Sequence, residues 1–286
     1  MNKPFKVAYL GPQGTFTQAA AVNHFDEECE LHDCASIDDV FMAVSEGLAT
    51  YGVVPVENST EGAVNNTQDC LIDATVKIVG EEVVSIDHYL LVARAAGDTE
   101  IEAIASHKQS LAQCRHWLQA NYPNTRLVES ASNAEAAKLA QGNNSIAAIA
   151  GAFAANLYDL EIRSEKIQDQ QHNSTRFLVL ANAETEPTGK DKTSVLIYTE
   201  NKPGALFRIL EPFENLQVSL TKIETRPSKK EAWAYVFFID FEGHIKDEKI
   251  GDLFARLQKC SAEIKILGSY PLFTKPLSTT ASSTAQ

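Results

Sequence analysis

The chain has 286 residues, 44% of them apolar and 22% charged, and a formal net charge of −13. That length supports about two domains with cores of their own, and the composition is that of a globular protein. The acidic balance excludes a general binder of nucleic acid or anionic membrane, and no apolar run reaches the length of a membrane span.

Met1-Asn2-Lys3-Pro4-Phe5-Lys6 leads into a short strand with no cleavage signal behind it, so a cytoplasmic protein is expected. Short apolar strands then alternate with helical patterns. A strand at Val7–Leu10 precedes helices from about Thr17 to Phe25 and from Asp38 to Thr50, followed by the strand Tyr51–Val56. The pattern resumes with the apolar run Val83–Val92, a strand at Ala103–Ser106 and a helix from about Ser110 to Asn121. Helices around 134–141 and 151–157 precede the strand Phe177–Ala181. This alternation predicts an α/β domain of two lobes with a cleft between them, where ligands bind at the carboxyl ends of strands.

Residues 182–192 are polar and contain Pro187 and Gly189, the composition of a linker. Beyond them the order is strand Thr193–Thr199, helix Pro203–Asn215, strand Gln217–Thr225, then a strand on which Trp233, Tyr235, Phe237, Ile239 and Phe241 alternate. A helix striped by Ile250, Leu253, Phe254 and Leu257 and a strand at Glu263–Tyr270 complete a βαββαβ, ferredoxin-like unit. The Ser/Thr/Ala tail at 276–286 has too little apolar area to offset ordering entropy and is expected to be disordered.

The cysteines, Cys29, Cys34, Cys70, Cys114 and Cys260, are odd in number and include no Cys-x-x-Cys pair; the histidines show no His-x-x-x-His spacing on a plausible helix. Neither a disulfide framework nor a metal site is expected.

Four polar segments border apolar strands, three of them after a strand and the fourth, residues 172–176, leading into one. Gly11-Pro12-Gln13-Gly14-Thr15-Phe16 can offer backbone N–H groups and a helix dipole to an anion, but lacks the three-glycine dinucleotide spacing. Glu57-Asn58-Ser59-Thr60-Glu61 supplies both donors and acceptors; Thr60 suits a helix cap and Asn58 a functional role. Ser106 and Gln113 can face one cleft with Lys108 adding positive charge, whereas His107 is assigned a structural role because adjacent strand residues face opposite ways. No Gly-x-Ser-x-Gly elbow accompanies it. The run His172-Asn173-Ser174-Thr175-Arg176 reads either as a solvent-facing strand start or as a station for a small anion, with Arg176 clamping a carboxylate. In the second domain Gly204-Ala205-Leu206-Phe207 opens a helix, and Glu224-Thr225-Arg226-Pro227 ends a strand; on pattern alone these are an ordinary helix start and a turn.

Taken in order, these motifs, with Ile167-Gln168-Asp169, resemble prephenate dehydratases that carry a C-terminal ACT regulatory domain. The resemblance implies a periplasmic-binding-protein-like catalytic domain at 4–181, with lobes of about 4–80 plus 166–181 and 81–165, and an ACT domain at 193–270. It implies conversion of prephenate to phenylpyruvate, water and carbon dioxide without a cofactor, and control by L-phenylalanine at an ACT–ACT interface of a homodimer or homotetramer. Thr175 would donate to the departing oxygen, Arg176 would hold a carboxylate or orient Thr175, and Glu57 would relay a proton. Asn58, Ser106 and Gln113 would position the ring and hydroxyl, with Thr15, Phe16, Ser59 and Phe177 completing the substrate site. The effector site would comprise Gly204, Ala205, Leu206, Leu220, Glu224, Thr225 and Arg226. The sequence departs from the family pattern where Asn133 replaces the usual Thr, where Ser219 replaces the usual Asn, and in the regulatory motifs Gly204-Ala205-Leu206-Phe207 and Glu224-Thr225-Arg226-Pro227, which stand against the more usual Val or Tyr and Ser. The alternatives are arogenate dehydratase, with the same chemistry on the amino analogue, and a non-catalytic amino-acid-sensing binding protein.

Overall fold

A computed structural model of the chain describes residues 5–25, 29–200, 202–227 and 235–273. The first lobe is built from β1 (Lys6–Leu10), α1 (Phe16–Phe25), β2 (Glu30–Cys34), α2 (Ile37–Ser45), β3 (Tyr51–Asn58), β4 (Gly62–Ala63), α3 (Asn65–Asp73) and β5 (Lys77–Ser85). The second contains β6 (Tyr89–Ala93), β7 (Ala103–His107), α4 (Lys108–Gln113), α5 (Arg115–Asn121), β8 (Arg126–Ser130), α6 (Asn133–Gln141), β9 (Ile146–Ala150), α7 (Ala152–Leu157) and β10 (Leu160–Ser164). The chain then returns through β11 (Ser174–Ala181), which inserts antiparallel between β3 and β5. The first sheet runs β2-β1-β3-β11-β5 with β4 beside β3, and the second runs β10-β6-β9-β7-β8.

Local chemistry starts several helices. Ser36 and Asp39 form a reciprocal capping box before α2, and the Ser132 hydroxyl accepts from Glu135 N at 3.0 Å before α6. The run read as one strand from Val83 to Val92 breaks in the middle: Asp87 and His88 interrupt it, and its halves enter different sheets. The crossing between lobes therefore lies beyond Ser85 rather than at residue 80. The helix expected over 110–121 divides at Cys114 into α4 and α5. β2 and β8 are edge strands with mostly exposed or half-exposed side chains, so they carry little apolar periodicity.

The C-terminal unit comprises β12 (Asp191–Tyr198), α8 (Ala205–Asn215), β13 (Leu220–Pro227), β14 (Tyr235–Glu242), α9 (Glu248–Leu257) and β15 (Glu263–Pro271), with sheet order β13-β14-β12-β15, antiparallel throughout. Helices α8 and α9 cover one face through Ile209, Phe213, Ile250 and Leu253. The opposite face buries Leu196, Tyr198, Val236 and Phe238 in the same cluster as Val54, Ile78, Leu178 and Leu180 of the first lobe. All eight residues of β12 are buried, as expected of a strand packed on both faces. β12 begins at Asp191, inside the segment read as linker. Trp233 and the tail at 276–286 lie outside the described residues.

Candidate active site

A cleft of about 320 Å³ opens between the two α/β lobes. The first lobe contributes Thr15, Phe16, Asn58, Thr175 and Phe177; the second contributes His107, Gln109, Ser110, Gln113 and Asn133. The lobes also touch directly, with the Tyr158 hydroxyl donating to Gln13 O at 2.6 Å. Gly14, at φ +89°, lies against that ring, where a Cβ would approach it to 2.8 Å.

β3 and β11 place the central polar groups. Thr175 pairs with Asn58 across the ladder, and Asn58 Nδ2 donates to Thr175 Oγ1 at 2.9 Å and to Asn173 Oδ1 at 2.9 Å. The orientation of this amide follows from the backbone, because its Oδ1 accepts from Thr60 N at 2.9 Å and from Glu61 N at 3.1 Å. The helix cap expected of Thr60 is not found, since α3 is preceded by Val64; Asn58 instead holds the turn at Thr60 and Glu61. With an N–H already on its oxygen, the Thr175 hydroxyl has its own proton to give in another direction.

The hydrogen-bonded chain runs on into the second lobe. Asn173 Nδ2 reaches Gln113 Oε1 at 3.5 Å, and His88 Nε2 lies 2.8 Å from that oxygen. Burial lowers the His88 pKa below its ordinary value, against the opposing hydrogen bond to Gln113, so the ring is neutral and donates from Nε2. Gln113 Nε2 is left buried without a protein partner, a donor on the cleft wall. His88 was not singled out from the sequence; the signal for it is a polar pair, Asp87-His88, inside an otherwise apolar run.

Several expected site residues lie elsewhere. Arg176 and Glu57 are ladder partners, like Thr175 and Asn58, but occupy the opposite face of the sheet because strand side chains alternate. The Arg176 guanidinium meets Asp240 and Glu81, and the Glu57 carboxylate sits 3.2 Å from Lys222 Nζ, so neither reaches the cleft. Ser106 is fully buried beneath the site; its hydroxyl donates to Ile149 O at 2.6 Å and lies 3.0 Å from Asn133 Oδ1. Ser59 is exposed and accepts from Ser174 N at 2.9 Å, tying β3 to the start of β11. His107 does line the cleft, and its Nδ1 also caps α4.

In the C-terminal unit, Gly204 at φ +77° starts α8, and Leu206, Phe207, Leu220 and Ile223 are exposed together with Tyr235. Glu224 and Arg226 do not join them. Glu224 accepts from Gln68 at 2.7 Å, and Arg226 donates to Asn65 and Asp69 at 2.7 Å each, all on α3 of the first lobe. Alternation along β13 again turns these side chains away from Thr225.

Among the described residues, none that lines the cleft is Lys, Arg, Asp or Glu. The positive potential available to an anion comes from the starts of α1 and α6, where Thr15, Phe16, Ser132 and Asn133 stand on the cleft wall. Such a site can hold a small polar anion and donate hydrogen bonds to a developing negative charge.

Residues 7–185 match the family described as prephenate dehydratase, and residues 193–257 match the ACT domain. The bifunctional chorismate mutase/prephenate dehydratase of Pseudomonas aeruginosa is 51% identical over 271 residues, 95% of this chain and 74% of that protein. The prephenate dehydratase of Methanocaldococcus jannaschii is 36% identical over 281 residues, 96% of this chain and 100% of that protein. The crystal structure of a prephenate dehydratase from Arthrobacter aurescens in complex with L-Phe has a TM-score of 0.83 at 33% identity, covering 93% of this chain and 90% of that one.

Proposed function

The chain belongs to the prephenate dehydratase family and carries an ACT domain, and from this we infer that the interlobe cleft converts prephenate to phenylpyruvate. The electron pair of the ring carbon–carboxylate bond moves into the ring, carbon dioxide leaves, and the ring carbon–hydroxyl bond breaks. Aromatisation drives the step; one proton converts the departing hydroxide to water. Thr175 donates a hydrogen bond to that oxygen, with Asn58 holding its own oxygen from behind. Gln113 Nε2 supplies a second donor, and the starts of α1 and α6 receive the carboxylates. Phe177 forms part of the apolar wall.

One observation favours prephenate over its amino analogue. The cleft wall has no carboxylate to pair with the ammonium of arogenate, and a desolvated ammonium without a partner is costly. With the purified chain, phenylpyruvate formation from prephenate is expected to exceed phenylalanine formation from arogenate by about a hundredfold or more in kcat/KM. Preference for arogenate would reverse the assignment, and tight prephenate binding without turnover would favour the sensor reading. In the same assay, added L-phenylalanine is expected to lower the rate.

The C-terminal unit is proposed to bind that effector between two copies of the chain. Leu206, Phe207, Leu220, Ile223 and Tyr235 form an exposed apolar patch around α8 and the edge strand β13, which suits a self-complementary interface. Gly204 and Ala205 at the start of α8 and Thr225 on β13 are proposed to contact the amino acid there. Sedimentation is expected to give a dimer or tetramer, and Phe207→Glu a smaller species. A monomeric wild-type chain at micromolar concentration would contradict this. Among the described residues no helix is long and apolar enough to cross a membrane, which is compatible with work in the cytoplasm.

A further inference from the structure

Arg176 follows Thr175 on β11 but enters the seam between the first lobe and the ACT domain. Its Nη2 donates across the seam to Asp240 Oδ2 at 2.6 Å and to the Tyr270 hydroxyl at 3.1 Å. On its own side, Nε lies 2.8 Å from Glu81 Oε2. The N–H direction misses that oxygen, so Glu81 holds the guanidinium as a charge rather than through a directed hydrogen bond. Glu81 is gripped in turn by Lys192 through both oxygens, at 2.8 and 2.9 Å, and Asp240 accepts from the Ser194 hydroxyl at 2.6 Å.

Glu57 Oε2 lies 3.7 Å from Arg176 Nη1 and 3.2 Å from Lys222 Nζ, so Arg176, Lys192 and Lys222 meet Glu57, Glu81 and Asp240 in one network along the seam. A buried network of this kind contributes little net stability over apolar packing, but it fixes the register of the surfaces it joins. The register of β11 against β3 shifts between Arg176 and Phe177. The extra residue is Val56 of β3, while β11 keeps its register with β5, Thr175 opposite Val84 and Arg176 opposite Val83, so β11 joins Thr175 to the anchored Arg176 as adjacent residues of one continuous strand.

We propose that Arg176 is a positioning residue for Thr175, and that its bonds to Asp240 and Tyr270 make turnover depend on how the ACT domain is docked. The proposal rests on the readings of Thr175 as the donor and of the ACT domain as the phenylalanine sensor. Asp240 and Tyr270 of the ACT domain grip the guanidinium directly, and Lys192 of β12 grips Glu81 from the same domain. A shift of the ACT sheet on effector binding therefore acts on the guanidinium by both routes, and β11 carries the displacement to Thr175.

The test uses the full chain carrying Arg176→Met together with Asp240→Leu, which replaces the ion pair by apolar groups and leaves Glu81 paired with Lys192. The expected result is a cooperative melt, kcat lowered about tenfold or more with KM within about threefold, and residual activity that ignores phenylalanine. Arg176→Lys is expected not to rescue kcat, since an ammonium cannot span Glu81 and Asp240 as the planar fork does. Wild-type kcat in the folded double variant would overturn the positioning role; a wild-type phenylalanine midpoint would overturn the coupling. Should the double variant not fold, Asp240→Asn is expected to raise that midpoint about tenfold, and an unchanged midpoint would overturn the coupling. A wild-type chain indifferent to phenylalanine would remove the effector reading, while kcat of the double variant would still decide the role of Arg176.

Discussion

Gly268→Ala is expected to lower the melting temperature of the full chain by about 6 °C or more, because the added methyl group has nowhere to go. A Cβ at Gly268 would lie 2.1 Å from Ile78 O, 2.8 Å from Ile78 N and 2.9 Å from Ile78 C. All three are backbone atoms of β5, so no rotamer change relieves the overlap, and β15 must lift from the first lobe. Overpacking of a close contact costs typically 1–3 kcal/mol and here should reach about 3 kcal/mol, equivalent to about 2–4 °C per kcal/mol for a chain of this size. The lost contacts are specific. Lys77 Nζ donates to Ile266 O at 2.8 Å, and Lys265 Nζ caps the end of α3 through Ala74 O at 2.6 Å and Ile72 O at 2.8 Å. Differential scanning calorimetry reads the outcome; a melt unchanged by Gly268→Ala would mean that the two sheets are not apposed as described.

That apposition was only partly legible in the sequence. The ferredoxin-like order of the C-terminal unit follows from its periodicity, and the polar segment before it reads as a tether. The uninterrupted burial of β12 indicates a second covered face, but nothing local in Ser194-Val195-Leu196-Ile197 names what covers it. The α/β lobes were legible where apolar strands are long and central, as in β3 and β11. They were illegible at β2 and β8, whose exposed side chains leave no period, and at α3, whose Asn65-Asn66-Thr67 start has weak helix propensity.

The site itself divides along one physical line. Thr175, Asn58, Gln113, Thr15, Phe16 and Phe177 meet at the cleft. Arg176, Glu57, Glu224 and Arg226 lie on the far sides of their strands and knit the domains together. The alternation that separates Ser106 from His107 also separates Arg176 from Thr175, so a signature that reads as one station serves two surfaces. Ser106 lies beneath the site bound to Ile149 O, and Ser59 lies beside it, holding the start of β11. Asn133 stands where the family usually has Thr, and its Oδ1 accepts from Ser110 at 2.9 Å and from His107 N at 3.2 Å.

Thr175→Ala is expected to lower kcat about 10²- to 10³-fold, the loss typical of one preorganised donor to a developing negative charge. KM should change little, because the hydroxyl acts on the departing oxygen rather than on the carboxylates that anchor the substrate. Stability should also change little: among the described residues the hydroxyl's hydrogen bond is the one from Asn58, whose amide retains Asn173 Oδ1 as a partner. Thr175→Ser keeps the oxygen and its proton and is expected to stay within about tenfold of the wild-type kcat. The decisive measurement is the steady-state rate of phenylpyruvate formation from prephenate by wild-type and Thr175→Ala chains, both shown to be folded. A fall in kcat of about a hundredfold or more at similar KM is the predicted result; wild-type kcat in Thr175→Ala would contradict the assignment of the cleft hydroxyl as the group that helps the oxygen leave.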